Sequence, residues 1–199
     1  RIVQDGVIGK VKAVHSFSNK KWGDLGQVPQ KSDPVPDGFD WDLWLGVAKD
    51  RPYISGYYHP GAWRKRRDFG TGTFGDMGCH IFSGWYRALG LTSPLSVVSH
   101  GPASNNDNWA INARIDYVFP QTGFTQKGTV PVTWYDGNER PPKEIAARVD
   151  NKVPGQGSII IGTDGVLLAP HMSTPGLYPR KKFEGFKYPK LQALSLIHI

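Results

Sequence analysis

The sequence holds almost no cysteine, and this excludes two classes of small protein. Cys79 is the single cysteine among 199 residues, so the chain cannot form an internal disulfide or a cysteine-rich zinc site. A chain of this length folds as one domain with a substantial core and does not need such support. One thiol fits a reducing cytoplasm and also an exported protein without disulfides; we take the cytoplasm as the expected compartment.

Long apolar runs are also absent. No stretch approaches the roughly 20 apolar residues that a membrane-spanning helix requires, and we therefore expect no membrane partner. Hydrophobic residues make up 39% of the chain and charged residues 21%. These proportions are typical of a globular domain and not of a disordered or fibrous protein.

Acidic residues are scarcer than basic ones, 17 against 24, and the formal net charge is +7. An excess of positive charge can indicate a nucleic-acid partner, whose binding would weaken as the salt concentration rises. We favour no nucleic-acid partner, because the charge of a piece of a protein is not the charge of the whole.

The sequence lacks an initial methionine and is interpreted as a fragment. Its first six residues are typical of the last turn of a helix that ends at Gly6. This pattern predicts that a further domain precedes the given sequence. Residues 192–199 differ in character from the rest and resemble a translated sequencing adaptor, so we assign them no native role. The expected native domain therefore covers residues 1–191.

The hydrophobic pattern predicts an α+β fold. Residues 11–17 alternate like a half-buried strand, and residues 76–89 form the best candidate helix. Further strands are predicted at 95–100, 110–119, 124–134, 158–161 and 166–168. Early helices followed by a run of strands favour an open, mainly antiparallel sheet with helices on one face.

A long polar and aromatic region, residues 22–60, separates the first predicted strand from the predicted helix. Within it, Asp40 as N-cap and Gly46 as the terminating residue delimit a short predicted helix. Loops of this length are uncommon in compact domains unless they have a function.

One face of the predicted helix 76–89 is apolar, and the other carries groups that can transfer a proton. At about 100° per residue, the polar stripe consists of Asp76, His80, Gly84 and Arg87, with Ser83 beside it. The opposite face consists of Met77, Ile81, Phe82, Trp85, Ala88 and Leu89. A histidine titrates near neutral pH, and a carboxylate one turn away can orient its ring. A helix cap at Asp76 and a purely structural His80 would give the same spacing.

The residues around this pair resemble one enzyme family. The sequence GDMGCH at 75–80, preceded by WR at 63–64 and DFGTG at 68–72, is similar to the Gfo/Idh/MocA oxidoreductases, the relatives of glucose-fructose oxidoreductase and inositol dehydrogenase. Further segments that agree with this family or its bacterial branch are GVIGKV at 6–11, FDWDLWLG at 39–46, RPY at 51–53 and GSIIIGTDGVL at 157–167. The resemblance extends from the start of the chain to about Leu191.

The resemblance implies a two-domain enzyme. A preceding Rossmann domain would bind NAD or NADP, and this domain would bind a sugar or cyclitol and form homo-oligomers through its open sheet. Family members transfer a hydride between a substrate C–OH group and the nicotinamide. The resemblance places the acid–base histidine at His80 and its partner at Asp76. Many relatives carry an acidic residue where Ser83 stands.

Further site residues are expected from the resemblance and from residue chemistry. Aromatic rings and charged donors suit polyhydroxylated ligands, and the predicted substrate contacts are Trp63, Arg64, Tyr58, His59 and Ser83. By analogy with the family, Lys10 and Trp22 approach the cofactor. The basic run 64–67 could attract a phosphate or an acidic sugar, but it is interpreted as a solvated face. No metal site is predicted, because the other histidines, His15, His59, His100 and His171, are scattered.

Two other functions are compatible with the sequence. A family member can act as an NAD-dependent glycosidase that oxidises its sugar transiently, and net hydrolysis without net NADH formation would identify it. A carbohydrate-binding module without activity is the other alternative, and the presence of both Asp76 and His80 argues against it.

Overall fold

The computed structural model describes residues 1–189. The predicted non-native tail, 192–199, lies outside the described residues. The elements in chain order are β1 (Val11–Ser18), α1 (Trp41–Leu45), a 3-10 helix (Ala62–Lys65), α2 (Gly72–Ala88), β2 (Ser96–Ser99), β3 (Arg114–Pro120), β4 (Thr129–Asp136), α3 (Lys143–Ala147), β5 (Gln156–Gly162), β6 (Val166–Pro170), β7 (Gly176–Tyr178) and a second 3-10 helix (Arg180–Phe183). No helix among the described residues is long and apolar enough to span a membrane.

The strands form one open sheet in the order β2-β3-β4-β1-β5-β6-β7. β1 pairs in parallel with β4 and antiparallel with β5, and every other neighbouring pair is antiparallel. The predicted α+β fold with an open, mainly antiparallel sheet is thus confirmed. The parallel pair was not predicted, because it joins two strands that are far apart in the sequence.

Helix α2 packs its apolar face on the sheet, as the periodicity predicts. Met77, Ile81 and Trp85 are buried, and the indole Nε1 of Trp85 donates a hydrogen bond to Ser16 Oγ on β1 at 3.1 Å. Because side chains alternate along a strand, Val14 and Ser16 face α2, whereas His15 and Phe17 lie on the far face. The apolar residues of the far face form a second core cluster around Phe17, Tyr135, Val149 and Ile159.

Helix α2 begins at Gly72 and not at the predicted residue 76. The glycine-rich run before residue 76 has weak helix propensity, but its first turn is fixed from outside. Thr73 Oγ1 accepts a hydrogen bond from the backbone N–H of Trp22 at 2.8 Å, and Gly72 lies against Trp109. These tertiary contacts extend the helix by a turn.

Two strands begin later than their patterns predict. β3 begins at Arg114 because Asn112, just before it, has a φ of 65° and the N–H of Ala113 is bonded to the Asp136 carboxylate at 2.9 Å. β4 begins at Thr129 because Gly128 has a φ of 96°. Asn112 and Gly128 have left-handed backbone conformations, so the extended pairing of each strand begins only after them.

The region 22–60 is ordered by an aromatic cluster. The ring of Tyr58 lies 5.4 Å from that of Trp41 and 5.8 Å from that of Phe69. The short helix α1 is capped as predicted, because Asp40 Oδ1 accepts a hydrogen bond from the N–H of Leu43 at 2.9 Å and Gly46 has a φ of 60°.

Candidate functional site

The first half of α2 lies beside the C-terminal end of β1. Thr73 Oγ1 not only accepts from Trp22 but also donates to the carbonyl of Lys20 at 3.3 Å. Further along the helix, Trp85 reaches Ser16, so α2 runs back along the strand. Asp76 and His80 therefore lie at the end of the domain where β1 finishes.

Asp76 pairs with Arg64 and not with His80. Arg64 Nε donates to Asp76 Oδ1 at 3.0 Å, and the guanidinium carbon lies 4.5 Å from the ring centre of Trp63 and 5.2 Å from that of Trp22. No ion pair joins Asp76 to His80 within the described part of the chain. The carboxylate thus fixes the arginine between two aromatic rings.

His80 faces a second imidazole that sequence reasoning treated as unrelated. His80 is exposed, and its ring centre lies 5.6 Å from that of His171. His171 directly follows β6, and its backbone N–H donates to the carbonyl of Gln156 at 3.1 Å. Burial, and after it the nearby His80, lowers the pKa of His171 below its ordinary value. The pair therefore disfavours double protonation.

Both imidazoles line a cavity of about 960 Å³. Its apolar wall is formed by Ile81, Trp85, Ile160 and Leu167, and Arg1 and Tyr188 are further polar groups of the lining. A cavity of this size and composition suits a small organic ligand. Arg64 and Asp76 are not part of the lining. The site thus has two parts: the cavity beside His80, and the Asp76–Arg64 pair, which joins α2 to the 3-10 helix Ala62–Lys65.

The structure places two of the predicted substrate contacts in other surroundings. Tyr58 is only 2% exposed and belongs to the aromatic cluster, which explains it as a packing residue. His59 is exposed, and its ring centre lies 4.8 Å from that of Phe39. Ser83 is exposed on α2, three residues beyond His80, but it is not part of the cavity lining.

The two predicted cofactor residues lie at opposite ends of β1. Lys10 precedes the strand and donates through Nζ to the carbonyl of Gly123, whereas Trp22 follows the strand. The eight residues of β1 span about 26 Å at roughly 3.3 Å per residue. The structure therefore brings Trp22, and not Lys10, to the end of the domain where His80 lies.

The basic run 64–67 is not the solvated face that its composition suggested. Arg66 is buried and donates to Asp24 Oδ2 at 3.0 Å and to Asn108 Oδ1 at 2.6 Å. Arg64 is held by Asp76. Of the three arginines in this run only Arg67 is exposed, and its guanidinium carbon lies 5.6 Å from the ring centre of Trp109. Spacing could not show this, because the partners come from distant loops.

Residues 1–189 contain no group of three or more histidine, cysteine, aspartate or glutamate side chains arranged to hold a metal ion.

A comparison with known protein families finds a match over the first part of the chain. The Gfo/Idh/MocA family model described as "Oxidoreductase family, C-terminal alpha/beta domain" matches residues 1–125. The matched segment includes β1, α1, α2, β2 and β3. Arg64, Asp76 and His80 lie within it, whereas the part of the cavity lining that includes Ile160, Leu167 and His171 lies beyond it. A search of curated proteins finds no match. Because the family match covers more than half of the 199 residues, this chain belongs to the C-terminal domain family of the Gfo/Idh/MocA oxidoreductases.

Proposed function

We propose that this domain binds a sugar or cyclitol and presents one of its hydroxyl groups to His80 for NAD(P)-dependent hydride transfer. The observation that carries the proposal is the placement of His80. Its exposed imidazole lines a cavity of about 960 Å³ that has an apolar wall, and a second imidazole, that of His171, lies 5.6 Å away in the same lining. The family is one of oxidoreductases, which supports this type of reaction.

His80 would act as the acid–base group. Oxidation of a secondary alcohol removes a hydride from carbon and a proton from oxygen, so a base must lie next to the hydroxyl group. A ring nitrogen of His80 would accept that proton, and it would return the proton when the reaction runs towards the alcohol. His171, kept neutral by burial and by His80, would accept a hydrogen bond from a second hydroxyl group.

Asp76 would act through Arg64. Its carboxylate holds Arg64 Nε at 3.0 Å, so the guanidinium keeps one orientation beside Trp63 and Trp22. We therefore assign Asp76 as a positioning residue for Arg64, and Arg64 and Trp63 as the residues that contact the ligand next to His80.

The polar groups at this end of the domain fit the family's nicotinamide cofactor. Trp22 Nε1 is buried and has no hydrogen-bond acceptor among residues 1–189, which leaves one unpaired donor at this end of the domain. NAD or NADP would be held mainly by a preceding Rossmann domain, and Trp22 is the residue of this chain that we propose to contact it. When bound, the cofactor supplies the hydride acceptor.

A second copy of the chain would pair through the far face of the sheet. Val98 lies in register with Asp116 and Asp116 with Thr133, so these residues share the face opposite α2 with His15. Val98 is 50% exposed, and α2 covers the other face. We propose that this surface forms the homo-oligomer.

Binding of polyols to the chain tests the proposed site. In NMR spectra of the imidazole groups, addition of myo-inositol or D-glucose should shift the signals of both His80 and His171 in a saturable way. The signals of His59 and His100, which lie outside the cavity, serve as internal controls. Shifts of equal size at all four histidines, or no saturable shift at any of them, would contradict the proposal.

A further inference from the structure

A cluster of cations and tryptophans adjoins the proposed substrate site. It consists of Lys20, Trp22, Trp63 and Arg64, and we call it the arginine–tryptophan cluster. Arg64 lies against both rings, and Lys20 Nζ lies 5.8 Å from the ring centre of Trp22. The rings hold the cationic groups in place, and the side chain of Arg64 remains partly exposed.

Arg64 has hydrogen-bond donors to spare. A guanidinium has five N–H donors. Here Nε donates to Asp76 at 3.0 Å and Nη1 makes a long contact of 3.4 Å with the carbonyl of Gly61, while Nη2 donates to no other described residue. The side chain is 32% exposed. Because stacking and the Asp76 hydrogen bond already restrict it, binding a ligand would cost little further side-chain entropy.

The charges around the cluster do not cancel. Each of three nearby carboxylates is already paired with an arginine: Asp24 with Arg66, Asp68 with Arg51, and Asp76 with Arg64. Lys20, Lys65 and Arg67 form no ion pair within 4.0 Å in the part of the chain that the structure describes. One further acidic residue of this region, Asp107, has its backbone carbonyl oxygen bonded to the N–H of Arg67. Against it, the three cations leave the surface around Arg64 with an excess of positive charge, which attracts an anion.

We infer that the arginine–tryptophan cluster binds an oxyanion of the ligand, through the free edge of Arg64. Planar bidentate pairing with a guanidinium is the geometry that carboxylates and phosphates prefer. The inference rests on the proposed function and narrows its substrate class to acidic sugars, such as uronates and aldonates. A phosphate of the cofactor offers the same chemistry, and the experiment separates these two sources.

D-glucuronate and D-glucose provide a matched pair of probes, because they differ only in the group at C6. Their dissociation constants for the chain are measured by calorimetry, with the indole signal of Trp22 followed by NMR. We expect glucuronate to bind at least about tenfold more tightly than glucose in low salt, and we expect this advantage to shrink as salt is added.

Variants assign the effect to Arg64. Arg64→Lys keeps the charge but loses the bidentate geometry, and it should lose most of the preference for glucuronate. Arg64→Gln combined with Asp76→Asn removes both charges without leaving a carboxylate unpaired, and should bind the two sugars equally. Arg87→Gln removes an exposed arginine from the same helix and should keep the preference.

A competition experiment with NADP tests the cofactor as the source of the oxyanion. In one outcome, NADP displaces glucuronate, as followed by the Trp22 indole signal, binds more tightly than glucuronate, and loses affinity in Arg64→Lys. These three results together would assign the oxyanion to the cofactor and uphold the role of Arg64. Equal affinity of the wild-type chain for glucuronate and glucose overturns the inference, as does a preference that survives in the double variant. In either of those cases, saturable shifts at His80 and His171 would still uphold the proposed function.

Discussion

At the scale of single residues, the partly buried imidazole of His15 links stability to pH. His15 Nδ1 lies 3.0 Å from the Tyr135 hydroxyl oxygen, and burial lowers its pKa from 6.5 to about 4, against the attraction of Asp116 and Glu144. The unfolded chain therefore binds this proton more tightly than the folded chain. The contribution of His15 to the free energy of unfolding is complete above pH 6.5 and is lost as the pH falls towards 4.

The size of this effect follows from the shift in pKa. At about 1.4 kcal/mol per pH unit, the loss between pH 7 and pH 4 is up to about 3 kcal/mol. Urea denaturation at several pH values measures it. His15→Gln should flatten the profile in this range, and the exposed His59→Gln should not. A wild-type profile that is already flat would contradict the assignment.

The two imidazoles of the site should influence each other. The positive charge of His80 contributes to the lowered pKa of His171, so His80→Gln should raise the pKa of His171. The value should stay below the ordinary one, because burial is the larger cause. NMR titration of the imidazole signals measures this shift, with His59→Gln as the control. An unchanged pKa of His171 in His80→Gln would show that the rings do not interact.

Some site residues were predictable from the sequence and others were not. Asp76 and His80 stand in one short motif on a periodic helix, so their shared face could be deduced. The Asp76–Arg64 pair depends on a separate 3-10 helix, and His171 arrives from a strand near the other end of the chain. Spacing along the sequence carries no information on such contacts.

At the scale of elements, helix α2 depends on its contact with β1. Trp85→Ala should lower the free energy of unfolding by about 3–5 kcal/mol, because it removes a buried ring and leaves Ser16 without its indole donor. Trp85→Phe keeps most of the packing and should cost less. Chemical denaturation measures both, and Arg87→Gln on the exposed face should change stability by less than about 0.5 kcal/mol. Equal stability of Trp85→Ala and the wild-type chain would contradict the packing.

Element types were easier to predict than element limits. The alternation in β1 and the 3.6-residue period in α2 both arise when one face of the element is buried. The structure shows this burial for both elements. The limits of β3 and β4 depend on the backbone conformations of Asn112 and Gly128. The start of α2 depends on contacts with Trp22 and Trp109. These are effects of tertiary structure, and local propensity does not predict the element limits that result from them.

At the scale of the whole molecule, the order of strands determines the site. Placing β1 between β4 and β5 sets α2 against the β5–β6 hairpin, and this brings His171 opposite His80. The class of fold was predictable from early helices and later strands, with the support of the family motif. The parallel β1–β4 pair was not predictable, because no local sequence pattern shows which of several distant strands will pair.

The most direct test of the central claim is the rate of hydride transfer, followed by NAD(P)H absorbance, when this chain is joined to the nucleotide-binding domain that we propose for it. His80→Gln should lower kcat about 10²- to 10⁴-fold, the usual contribution of a general acid–base group, with little change in the affinity for the sugar. His59→Gln should leave kcat unchanged. A His80→Gln enzyme with normal turnover would contradict the role of His80 as the group that moves the proton.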